Sequence, residues 1–82
     1  MYKVEFSKKA ENQFYNLPLE IQRRIASVLD RIKFRPFHFV KRKEESSNFI
    51  LRVGDYRAIL DIRQKELIIY VTKVGHRKNI YD

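Results

Sequence analysis

The chain opens with an alternation: Tyr2, Val4 and Phe6 are apolar, and Lys3 and Glu5 between them are charged. Successive side chains of a strand point to opposite faces, so a period of two predicts a half-buried strand. The period then changes. Ala10, Phe14 and Leu17 stand at i, i+4 and i+7, one stripe on a short helix. Ser7, just before it, can accept a hydrogen bond from a free first-turn amide. Pro18 ends that helix and suits the first turn of the next, where a missing N–H costs nothing. In this second helix Ile21, Ile25, Val28, Leu29 and Ile32 share one face, and the pattern runs to about Phe34, ahead of Pro36. Two helices joined this tightly predict a helical hairpin.

Residues 36–47, PFHFVKRKEESS, hold no clean period and are expected to form a loop. Three strands follow, NFILRV, YRAILDI and LIIYVTKV, with turns at Gly54-Asp55 and around Gln64-Lys65. Short turns between successive strands predict an antiparallel meander. The expected class is α+β in the order β-α-α-β-β-β. A small, mainly antiparallel sheet would carry the helical hairpin on one face, with residues 1–82 forming one domain. In the second strand of the meander, Tyr56, Ala58, Leu60 and Ile62 are expected to face the helices. Arg57, Ile59, Asp61 and Arg63 would face away, which puts Arg57 on an open face. Strand register decides whether Arg52 joins it.

Composition narrows the chemistry. There is no cysteine, which excludes a disulfide scaffold and a cysteine-bound zinc site. His38 and His76 lie far apart in no ligand-spaced motif, so neither a metal nor a cofactor is expected. Gly54 and Gly75 are the only glycines, too few for a phosphate-cradling loop. No apolar run approaches the ~20 residues that span a bilayer. The strand pattern begins at once and leaves no expected signal peptide, so a cytoplasmic protein is the simplest reading. His38, among Phe37, Phe39 and Val40, reads as a packed loop residue, and Tyr56 and Tyr70 as caps on the core.

Charge supplies the main functional lead. The net charge is +8, and the stretch from Arg23 to Lys43 holds eight cations against one acid, Asp30. Such a stretch suits a polyanion. Nucleic acid, an acidic protein and an anionic membrane all qualify; for an RNA partner, Arg31, Lys33, Arg35, Lys41, Arg42 and Lys43 are the cations expected to grip its phosphates, contacts that give affinity without reading bases. A membrane fits poorly, because the helices need their apolar faces for the core. From the residues alone, Arg57 beside Asp61 reads as a surface ion pair contributing at most ~1 kcal/mol.

LRVGDYRAILDI, followed by VTKVGHRKNIY, resembles the RelE/ParE toxin superfamily, and its RelE-type branch most. The likeness runs from YKVEFSKKAENQF to Tyr81. It implies the toxin of a type II toxin–antitoxin system, a ribosome-dependent endoribonuclease that cuts mRNA in the decoding A site. It also implies an acidic, RelB-like antitoxin as partner and a possible higher-order toxin–antitoxin assembly. By the resemblance Arg57 binds the scissile phosphate, Arg77 is a second catalytic arginine, Tyr81 stacks on a base, and Arg52 matches a frequent arginine before the turn. The implied reaction is attack by a ribose 2′-OH on its adjacent phosphate, with cations rather than a metal stabilising the added charge. The sequence departs from the family where many members carry a lysine pair, at Asn48 and Ile50 here. The role of general base then falls to His76, with Glu45 and Lys43 as alternatives. Two other readings stand beside this one: a ParE-like poison of DNA gyrase, and a non-catalytic RNA- or protein-binding module on the same fold.

Overall fold

The computed structural model describes residues 1–42 and 48–80. Its elements are β1 (Lys3–Phe6), α1 (Lys8–Tyr15), α2 (Leu19–Ile32), a 3-10 turn (Pro36–His38), β2 (Lys41–Arg42), β3 (Asn48–Val53), β4 (Tyr56–Arg63) and β5 (Ile68–His76). The strands form one sheet ordered β1-β5-β4-β3-β2. β1 runs parallel to β5, and every other pairing is antiparallel. The α+β class and the helical hairpin on one sheet face are as the sequence predicts.

Local chemistry sets the boundaries. Ser7 is extended, and its hydroxyl accepts from the Ala10 amide at 3.1 Å, capping α1. The Pro18 carbonyl accepts from the Ile21 and Gln22 amides and starts α2. Gly54 turns β3 into β4 at φ 60°, the left-handed conformation that a two-residue turn with glycine first requires. Its missing side chain also leaves room for Arg24, whose guanidinium would lie 3.1 Å from an added Cβ.

The core lies between the hairpin and one face of the sheet. Ala10, Ile25, Leu29 and Ile32 come from the helices; Leu51, Val53, Ala58, Leu60, Ile62, Ile69, Val71 and Val74 come from the strands. Each fully buried aliphatic side chain contributes about 1.5–3 kcal/mol. The buried positions of β5, Ile69, Val71 and Val74, are spaced two and then three apart. Between Ile59 and Leu60 the β4–β5 register shifts, so that Ile59 pairs with Lys73 while Leu60 pairs with Val71. Thr72 is the extra residue of a β-bulge, and its hydroxyl donates to the Ile59 carbonyl at 3.2 Å. Beyond the end of β1, helix α1 takes over the free edge of β5. The Ser7 hydroxyl donates to the Thr72 carbonyl at 3.4 Å, and the Gln13 side-chain carbonyl accepts from the Val74 amide at 2.9 Å.

Three expectations need correction. α2 stops at Ile32 rather than near Phe34, and the stretch expected as a loop contains the 3-10 turn and β2. β2 pairs Lys41 with Ile50 and Arg42 with Phe49; two residues are too few to display a period. Tyr70 does not cap the core. Its neighbours Ile69 and Val71 point inward, so its ring stands on the outer face, with the Arg63 guanidinium 4.9 Å from its centroid. Tyr56 does pack against the core.

Candidate functional site

Arg57 stands on the sheet face that no helix covers, because its neighbours Tyr56 and Ala58 are committed to the core. Its partners across the sheet are Arg52 on β3 and Gly75 on β5. Residues directly opposite in an antiparallel pair have Cβ atoms about 4.5–5.5 Å apart, and like charges there destabilise. Among the described residues neither arginine has a carboxylate partner. Asp61, expected to neutralise Arg57, pairs instead with Arg63 at 3.3 Å.

The next row on this face runs Lys41, Ile50, Ile59, Lys73 across four strands. Lys41, Ile50, Arg52 and Arg57 line a shallow depression of about 310 Å³. Rows of one face lie about 7 Å apart along a strand, and four strands span about 14 Å. The outer face thus holds four cations around an isoleucine pair, and among the described residues no acid lines the depression. Opposed arginines with no carboxylate partner among the described residues favour the approach of an anion. The planar guanidinium fork matches two oxygens of a phosphate.

The chain after β5 also reaches this face. The Asn79 and Ile80 amides donate to the His76 carbonyl at 2.8 and 3.2 Å, which turns the tail back. Ile80 then sits over Gly75, 3.1 Å from where a Cβ would be, on the Arg57 side of the sheet. Gly75 makes room for that return. Arg77 is exposed at the sheet end holding the β3–β4 turn. Its amide donates to the Asp55 carbonyl at 2.8 Å, and its Nε lies 4.0 Å from an Asp55 carboxylate oxygen. His76 is directed the other way. It pairs with Tyr56, its ring meets that of Tyr56 edge-on at 5.3 Å, and its Nδ1 accepts from the Lys78 amide. It therefore stands on the face opposite Arg57.

A family model, the ParE toxin of type II toxin–antitoxin systems, matches residues 4–81. The chain belongs to that toxin family. Solved structures agree. A RelBE toxin–antitoxin complex from Mycobacterium tuberculosis contains a chain 27% identical, with a TM-score of 0.77, covering 93% of this chain and 98% of its own. An archaeal RelE–RelB complex from Pyrococcus horikoshii contains one 26% identical, with a TM-score of 0.80, covering 96% and 98%. The isolated RelE toxin of Escherichia coli shares the fold at 15% identity, with a TM-score of 0.82 over 93% of this chain and 84% of its own. A comparison with curated protein sequences returns no match. Among the described residues of the toxin, no helix is long and apolar enough to cross a membrane.

Of the residues singled out in the sequence, the fold brings Arg52, Arg57 and Lys41 to one depression and Arg77 to the same end of the sheet. It divides the basic stretch. Arg24 lies over Gly54, whereas Arg31, seven residues further along α2, is about 10 Å away along the helix axis. Lys33 pairs with Asp30 at 2.8 Å, and Arg35 lies beside the 3-10 turn. Arg42 follows Lys41 in β2. Tyr81, Lys43 and Glu45 lie outside the described residues. Lys73 was missed by the sequence reading. Strict alternation from Val71 would turn it inward, and the bulge at Thr72 turns it outward; the two-then-three spacing of Ile69, Val71 and Val74 was the available signal.

Proposed function

We propose that this toxin is a ribosome-dependent endoribonuclease that inhibits translation by cutting mRNA. The observation that carries this reading is the opposed pair Arg52 and Arg57, set in a depression of the open face that no acid among the described residues lines. In the proposed reaction a ribose 2′-oxygen attacks the adjacent phosphorus. The new O2′–P bond forms as the P–O5′ bond breaks, leaving a 2′,3′-cyclic phosphate and a 5′-hydroxyl. The arginines stay protonated and stabilise charge that grows on the phosphoryl oxygens in the transition state. They cannot exchange the protons that the reaction moves. Among the described residues that line the depression, Lys41 is the remaining ionisable side chain and is assigned that exchange, in preference to His76 on the far face. Arg77 adds a further cation, and Tyr81 is assigned base stacking.

An acidic antitoxin is the proposed inhibitor. The net charge of +8 favours it, and the relatives from Mycobacterium tuberculosis and Pyrococcus horikoshii were solved as toxin–antitoxin complexes. The ribosome and mRNA are the proposed targets, in the cytoplasm.

Arg57→Ala should leave the fold intact and lower cleavage about 10²-fold or more, because it removes a charge-assisted contact to the transition state. Primer extension on an mRNA undergoing translation in vitro reads this directly. Undiminished cleavage by Arg57→Ala at equal concentration would refute the assignment. The family model named for ParE favours a second reading, poisoning of DNA gyrase without nuclease chemistry. Trapped gyrase–DNA cleavage complexes, with translated mRNA left whole, would establish that reading instead.

A further inference from the structure

A second depression, of about 410 Å³, lies between the start of β1 and the 3-10 turn and is lined by Tyr2, Phe34, Arg35, Phe37 and His38 with Pro36. Among the described residues it shares no lining residue with the arginine depression. Its rings are unusually open: Phe34 is 69% exposed, and Phe37 and the neighbouring Phe39 are 41% and 44% exposed. Two of them have ring neighbours. Phe37 meets Phe49 edge-on at 5.2 Å, and His38 meets Phe39 at 5.5 Å. The backbone beneath is tied by bonds from the Arg35, His38 and Phe39 amides to the Ile32, Arg35 and Pro36 carbonyls, and from the Tyr2 amide to the Lys33 carbonyl.

Charge identifies the occupant. From Arg31 to Arg42 there is no acidic residue, while five cations and three phenylalanines alternate through the stretch. Lys33 is engaged by Asp30, but Arg35 has no carboxylate partner among the described residues. Exposed rings bind anything apolar, and cations bind any polyanion; rings interleaved with cations suit a ligand that alternates flat bases with phosphates. A peptide partner has a better seat elsewhere. The groove of Val4, Phe6, Phe14, Ala26 and Leu29 flanks the outer edge of β1 and is mainly aliphatic and benzyl in character.

We propose that the surface formed by Phe34, Arg35, Phe37 and His38 is a stacking platform for unpaired RNA bases, separate from the cleavage depression. It takes its choice of ligand from the RNA-directed reading above, and gives the toxin a second grip on single-stranded RNA. Aromatic stacking is sequence-tolerant and is lost when a ring is replaced by an aliphatic group.

The test uses the whole chain carrying Arg57→Ala, which takes one cation of the cleavage depression out of the binding readout. Fluorescence anisotropy would measure binding of a labelled single-stranded oligoadenylate of about 12 nucleotides, within the range one such surface covers. A duplex RNA of the same length is the control. Phe34→Leu with Phe37→Leu should weaken single-strand binding about fivefold or more, and Phe34→Tyr with Phe37→Tyr should preserve it. Duplex binding should be equal for all three proteins. Arg35→Gln should flatten the log-affinity against log-salt slope by about 0.7. Phe34→Leu alone, at a position already largely in water, gives the same readout if the double variant fails to fold. Absence of single-strand binding by the parent, leucine binding as well as phenylalanine, or equal losses on single strand and duplex would each overturn the platform. Cleavage is not read here, so failure of the endonuclease assignment in primer extension leaves a positive platform result standing, and the converse also holds.

Discussion

The two faces of the sheet are made from the same strands and obey opposite rules. On the helix side Leu60, Val71 and Val74 are buried against Ile25 and Leu29, and among the described residues no polar or charged side chain is buried. On the outer side the rows read Arg52, Arg57, Gly75 and Lys41, Ile50, Ile59, Lys73. The first face gathers groups that water rejects. Toward the β3–β4 turn the second gathers cations that repel one another, an arrangement that makes sense when something anionic arrives from outside. Folding energy is concentrated on one side of a layer one residue thick, and the chemistry is left on the other.

Adjacent residues test this division most severely. Leu60→Ala should cost about 2–5 kcal/mol in urea unfolding, since it empties a fully buried site. Ile59 is also buried, at 4% exposure, but on the outer face with Ile50 and Lys73 as cross-strand neighbours. Long flexible side chains can collapse into the gap, so Ile59→Ala should cost about 2 kcal/mol or less. Equal losses would mean that the outer face has a core of its own.

A second comparison concerns the sealed edge of β5. Gln13→Ala leaves the Val74 amide without its partner and should cost about 1–3 kcal/mol. Hydrogen exchange at Val74 should speed up more than at Val71, which lies in the stretch paired with β1. Uniform acceleration along β5 would show that the side chain adds nothing local.

The smallest effect has the most telling sign. Arg52→Gln should raise the stability of the free toxin by about 0.2–1 kcal/mol, because it relieves a like-charge pair. The gain should shrink as salt is added, and cleavage should fall in the same variant. A thermal melt at low and high salt checks it. A destabilised Arg52→Gln would show that the arginine serves the fold.

Most of the core face was legible from the sequence. The two-residue period of β1 and the alternate burial of Tyr56, Ala58, Leu60 and Ile62 follow from pleating, and Ile25, Leu29 and Ile32 follow from helical spacing. Ser7 was readable as a cap because capping is local. What escaped depends on contacts between distant segments. β2 exists because Lys41 and Arg42 meet Ile50 and Phe49, and nothing within the two residues announces it. The opposition of Arg52 to Arg57 needed the register, and the choice of Arg63 over Arg57 by Asp61 needed the side-chain geometry. The basic stretch read as one patch because residues close in sequence were taken as close in space; α2 and the turn after it send its members to different surfaces.

The bulge at Thr72 has a consequence for how this strand can change length. Val71 and Val74 face inward, and Lys73 and Gly75 face outward, only because Thr72 is surplus to the ladder. Losing that codon would close the bulge and keep every later residue on its present side, at the expense of the hydroxyl contact to Ile59 and the Ser7 contact. Gaining a codon between Lys73 and Gly75 would instead turn the glycine opposite Arg57 inward and bring a side chain into its place. β5 therefore carries one residue of slack, and descendants of this chain can shorten there more readily than they can lengthen.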